Sequence, residues 1–197
     1  MRIPIVLSAM LAGACSGSPE PPCNPGVTLV EQVPVAGLSA VEAPPATPQH
    51  VTLWPNPALV DGDLSASAGI DLGFGPTLSG DSMPRDMGFE LASAATEVDE
   101  VHVWVDRALP QEVSAAYAWS IFRSDDNLAW TPVSSGQAWF DIVEGRFRLL
   151  VAPTRARYLK VVTRPLAVGV VTDPAYASVL VTEVRGFTAA NACAATP

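Results

Sequence analysis

The stretch Glu100–Asp106, "EVHVWVD", alternates strictly, with Val101, Val103 and Val105 on one side of an extended chain and His102, Trp104 and Asp106 on the other. A period of two suits a strand with one face against a core, and it cannot gather its valines on one face of a helix. Four further runs, "YAWSIFRS", "RFRLLVAP", "RYLKVVTRP" and "SVLVTEVRGF", are short, rich in β-branched and aromatic residues, and bounded by turn residues. Nineteen prolines and fourteen glycines punctuate the rest. Only "LPQEVSAA" reads as helical, for a turn or two, with Pro110 suited to the first turn. Short strands at this spacing predict an all-β fold, an antiparallel β-sandwich or jelly roll.

Composition narrows the function. Apolar residues make up 49% of the 197 and charged residues 16%, enough to bury a core. The net charge of −9, with no basic run, argues against nucleic acid, whose binding needs clustered Lys and Arg to release counterions. The two histidines, His50 and His102, have no Cys or His at a metal-binding spacing, and no G-x-S-x-G elbow occurs. "GFGPTLSG" lacks the lysine of a phosphate loop. A non-catalytic protein is the expectation.

The ends read differently from the middle. Residues 1–14 carry one positive charge, Arg2, then an apolar run ending in small residues, the layout of a signal peptide. "LAGAC" resembles the lipobox of bacterial lipoproteins, which implies cleavage before Cys15 and a diacylglycerol on its thiol. The other reading is an ordinary signal peptide cut nearby, leaving Cys15 free. Residues 15–26 hold "SGSPEPPCNPG", a Pro- and Ser-rich spacer between such an anchor and a domain over 27–190. Ser16 stands where lipoproteins held at the inner membrane often have Asp, so an exported protein on the outer membrane is expected. Outside the cytoplasm thiols oxidise, and Cys23 and Cys193 flank the domain, the latter in a short tail over 191–197. Pairing them would tie the first and last segments together.

Five segments in order carry a further resemblance: "LVDGDLSAS", "MGFELASAATEVDEVHVWVD", "WSIFRSDDNLAWTPV", "ARYLKVV" and "VLVTEVRGF". Together they resemble the discoidin family, also called coagulation factor 5/8 C-terminal type or galactose-binding-like. Ser124, Asp126 and Trp130 match its hairpin, and Arg157 and Tyr158 match a later strand. Glu90-Leu91-Ala92 replaces the family's Asp-Leu-Gly corner. The resemblance implies a discoidin-like jelly roll, structural roles for Trp130 and Tyr158, and a disulfide joining the terminal strands, here Cys23 with Cys193. It also implies a structural calcium near the Asp-Gly turn, with Asp61 and Glu183 as first ligands and Asp63 and Ser65 as secondary ones. Calcium takes six to eight oxygens, and "DGDLSAS" concentrates them. A glycan or other surface ligand would stack on exposed aromatics, for which Trp54, Trp139 and Tyr176 are the candidates. The competing expectation is a structural subunit of an outer-membrane or extracellular assembly, with an envelope protein as partner.

Overall fold

The alternating stretch is the centre of a six-stranded sheet. In the computed structural model, which describes residues 27–40, 48–73, 84–133, 135–166 and 173–191, the strands form two antiparallel sheets. With strands numbered along the chain, the first sheet runs β1 (Val27–Gln32), β12 (Leu180–Asn191), β6 (Glu97–Val105), β10 (Arg146–Arg155) and β9 (Ser135–Asp141), and β4 (Ile70–Asp71) adds to β12. The second runs β3 (Trp54–Pro55), β2 (Pro34–Ser39), β5 (Arg85–Leu91), β11 (Tyr158–Thr163), β7 (Ser120–Ser124) and β8 (Thr131–Val133). This is the expected β-sandwich. The first and last strands lie side by side, with Val27 opposite Asn191 and Gln32 opposite Gly186.

The core lies between the sheets. Val101, Val103 and Val105 of β6 and Phe147 and Leu149 of β10 meet Met87 and Phe89 of β5 and Leu159 and Val161 of β11. Each such side chain, fully buried, contributes about 1.5–3 kcal/mol. Gly186 makes room for Phe89: a Cβ there would sit 2.8 Å from the ring's Cζ. The only α-helix among the described residues is Gln111–Ser114, preceded by Pro110 and anchored by buried Val113. It lies where the sequence placed it.

The outer face of the second sheet is covered too. Leu38, Leu53, Phe122, Trp130 and Val162 form a separate cluster there, with Tyr158 packed against it. Both residues expected to be structural, Trp130 and Tyr158, are therefore packing residues. Asn127, in the left-handed region at φ 60°, clasps the segment around Leu53 by accepting from its N–H at 3.1 Å and donating to its carbonyl at 2.8 Å. Asp126 holds the turn itself, accepting from the N–H groups of Leu128 and Ala129 and from the Ser124 hydroxyl. Beneath lies Lys160, fully buried, its Nζ 2.9 Å from Asp86 and 4.5 Å from the Trp130 ring centre. The charge is compensated by the carboxylate and the aromatic face, as a buried ammonium requires.

Candidate functional site

Three aromatic residues were candidates for stacking a ligand, and the fold places them apart. Trp54, 59% exposed, is on β3 at one edge of the second sheet, while Trp139, 37% exposed, is on β9 at one edge of the first. β2 and β5 lie over β12, and β8 lies over β10, so those two edges fall on opposite sides of the sandwich. Tyr176 is half-buried at the end of a 3-10 turn, Pro174–Tyr176, and packs against the core. Asp173 caps that turn through the N–H of Ala175, and Arg107 donates to the Ala175 carbonyl at 2.6 Å. Its surroundings are structural.

Trp139 borders a cleft lined by described residues. A cavity of about 480 Å³ opens between the short helix and the edge strand β9, within the range typical of small-ligand sites. Its interior is aromatic. Phe147 stands 5.3 Å from Tyr117, 4.9 Å from Trp119 and 4.9 Å from Phe140, ring centre to ring centre, in edge-on or tilted contacts. Trp139 and Ile142 border the cleft from the β9 side, the Trp139 ring lying on the other face of the sheet against Arg148, and Gln111 and Ser114 line it from the helix.

The polar groups are few and distinct. The Tyr117 hydroxyl donates to the Leu72 carbonyl at 3.1 Å, and burial pushes the phenol far above its usual range. It is a fixed structural donor. The Trp119 Nε1–H, in contrast, is buried with no hydrogen-bond partner among the described residues. Among the described lining residues there is no Asp, Glu, His, Lys or Arg. The cleft can stack an apolar surface and offer hydrogen bonds, but it holds no group suited to carrying a proton between reacting atoms near neutral pH.

Of the residues around this cleft, sequence reasoning singled out Trp139 and did not single out Tyr117, Trp119 and Phe140. "YAWS" did place Tyr117 and Trp119 two residues apart, on one side of an extended chain. What it could not show is that β9 and β10 bring Phe140 and Phe147 against them.

The calcium expectation meets a different arrangement. Gly62, at φ +83°, makes the sharp turn and brings its N–H 3.2 Å from Glu183 Oε2. Glu183 is buried, and its other oxygen accepts from Arg185 Nε at 3.0 Å. Burial pushes the Glu183 carboxyl up, and Arg185 opposes the shift. Asp61 accepts from the N–H of Asp63, and Asp63 in turn accepts from the N–H and hydroxyl of Ser65. One oxygen of Asp61 and one of Asp63 are thus engaged in the turn, and a guanidinium already lies against Glu183. Among the described residues, no three His, Cys, Asp or Glu side chains are grouped to hold a metal ion.

No family model matches the chain, and no curated protein matches it. Among solved structures it is similar to CpGH89CBM32-5 from Clostridium perfringens, described in complex with GalNAc-β-1,3-galactose, at 16% identity and a TM-score of 0.46, covering 77% of this chain and 94% of that one. It is also similar to the C-terminal domain of a chitobiase from Bacteroides fragilis, at 14% identity and a TM-score of 0.46, over 82% of this chain and all of that one. A pectin-binding carbohydrate-binding module is similar at 18% identity and a TM-score of 0.45, over 87% of this chain and 96% of that one.

Proposed function

We propose that this chain is a non-catalytic, discoidin-like binding module that holds an uncharged carbohydrate in the cleft between the short helix and β9. The single observation that carries this reading is the cleft's lining: four packed aromatics, with no charged side chain among its described residues. A pyranose ring has an apolar face of C–H groups and an edge of hydroxyls. The first stacks on an aromatic ring, and the second meets polar side chains such as Gln111 and Ser114. An anionic sugar would have to shed its hydration with no cation among the described lining residues to replace it, on a protein whose net charge is −9.

In the same reading the module is exported, anchored to the envelope by a lipid on Cys15, and displayed on the spacer at 15–26. The support is the sequence pattern around Cys15, which lies outside the described residues.

A glycan array probed with the wild type, Trp119→Ala and Trp54→Ala tests the function. Wild type and Trp54→Ala should retain the same neutral saccharides, and Trp119→Ala should bind them at least tenfold more weakly. Retention of acidic saccharides alone, or loss of binding with Trp54→Ala and not with Trp119→Ala, would overturn the proposal.

A further inference from the structure

The β9 side of the cleft is longer than one sugar ring. Ala138 and Phe140 lie opposite Leu149 and Phe147 of β10, both core residues, so they share the face of β9 that turns towards the cleft. Alternation carries that face on to Ile142, which borders the cleft just past the end of the strand. Same-face neighbours on a strand are about 7 Å apart, so Ala138, Phe140 and Ile142 form a wall about 13 Å long. A pyranose is similar in size to the phenyl ring of Phe140, and a single sugar seated there leaves both ends of the wall bare.

The two ends differ. Ala138 offers one methyl group, whereas Ile142 offers a branched aliphatic side chain that is 60% exposed. The backbone under Ile142 is pinned. Asp141 accepts from the N–H groups of Val143 at 3.1 Å and Glu144 at 3.3 Å. Gly145 closes the turn at φ 64°, in the left-handed region that glycine enters without strain, and its carbonyl accepts from the Val105 N–H of β6 at 3.0 Å. The side chain is itself stiff, because branching at Cβ restricts χ1. An apolar group already fixed at a rim loses little freedom when it is covered, so more of the gain survives as affinity.

We infer that Ile142 forms a second subsite, so that the cleft takes at least two linked neutral sugar units, one over the aromatic floor and the next with its C–H face against Ile142. A second subsite rests on the carbohydrate reading above, to which it adds a minimum length for the ligand and a direction, along β9 towards the β9–β10 turn.

Val143 supplies the control. It is the next residue of the same turn, is 88% exposed, and is not among the residues lining the cleft. The probes are the neutral disaccharide best retained on the array and the methyl glycosides of its two component sugars. Isothermal calorimetry reads the gain from the second unit as the ratio of association constants, disaccharide over the tighter monosaccharide. Wild type should show a ratio of about five or more, as burying a few tens of square ångströms of apolar surface predicts. Ile142→Ala should bring the ratio close to one, Ile142→Val should keep most of it, and Val143→Ala should match wild type. The second subsite is excluded if wild type binds monosaccharide and disaccharide equally, if Ile142→Ala keeps the wild-type ratio, or if Val143→Ala loses it to the same extent. In each of those cases the carbohydrate reading stands, whereas an array that retains no neutral saccharide at all overturns both. Urea unfolding of each variant separates a lost contact from a disturbed fold, and Ile142→Val decides the matter should the alanine variant be unfolded.

Discussion

His102 lies on the face of β6 that simple alternation would leave open to water, yet it is 1% exposed. Arginines lying over Trp104 and Trp139 cover that face. Burial lowers the His102 pKa to about 4, with the bond to Glu100 working against the shift. The imidazole is therefore neutral in the folded chain at pH 7, while the unfolded chain titrates near the ordinary value of about 6.5. Between those values the unfolded state binds more protons, so stability falls as pH drops from about 6.5 towards 4. Urea unfolding at half-unit steps from pH 7 to 4.5 should show this decline. His102→Gln, which keeps a donor for Glu100 and removes the titration, should flatten the curve over the same range. Parallel curves for the two proteins would refute the assignment.

Strands were the legible elements. Period-two patterns and bounding turn residues placed β6, β7, β10, β11 and β12, and "LPQEVSAA" placed the helix. β9 escaped the pattern reading because "SGQAWFD" opens on small and polar residues and owes its strand state to pairing with β10. The cleft was illegible for a related reason. Trp139 announced itself as a large aromatic near a turn, but the floor joins Tyr117 and Trp119 to Phe140 and Phe147, partners set by the fold. Trp54 and Trp139 look equivalent in the sequence, and only sheet order puts them at opposite edges. The Asp-Gly turn does meet Glu183, and Arg185, two residues beyond Glu183, donates to the same carboxylate. Close packing between elements gives a sharper test of the sheet. A Cβ on Gly88 of β5 would lie 2.1 Å from the Leu159 carbonyl of β11, a backbone atom with little freedom to move. Gly88→Ala should therefore cost about 1–3 kcal/mol, read as a lower urea midpoint. An unchanged midpoint would mean that β5 and β11 are not held at this register.

At the scale of the molecule, the antiparallel pairing of β1 with β12 closes the fold by setting Val27 opposite Asn191. Cys23 precedes this pair by four residues and Cys193 follows it by two, both outside the described residues. We propose that they form a disulfide. Closing a loop of that length would stabilise the fold by about 5 kcal/mol in the chain-entropy model. Thiol titration of unreduced protein starting at Ser16 should find no free thiol, and two free thiols would exclude the bond. The central claim, that one aromatic cleft at the β9 edge binds an uncharged carbohydrate, is tested most directly by the chain's five tryptophans. Their indole N–H signals report on the cleft through Trp119, on the opposite edge through Trp54, and on buried packing through Trp104 and Trp130. Titrating the neutral saccharide best retained on the array should shift the Trp119 signal along one saturable curve and leave the Trp54 signal still. A shift of Trp54 with Trp119 unmoved would contradict the account.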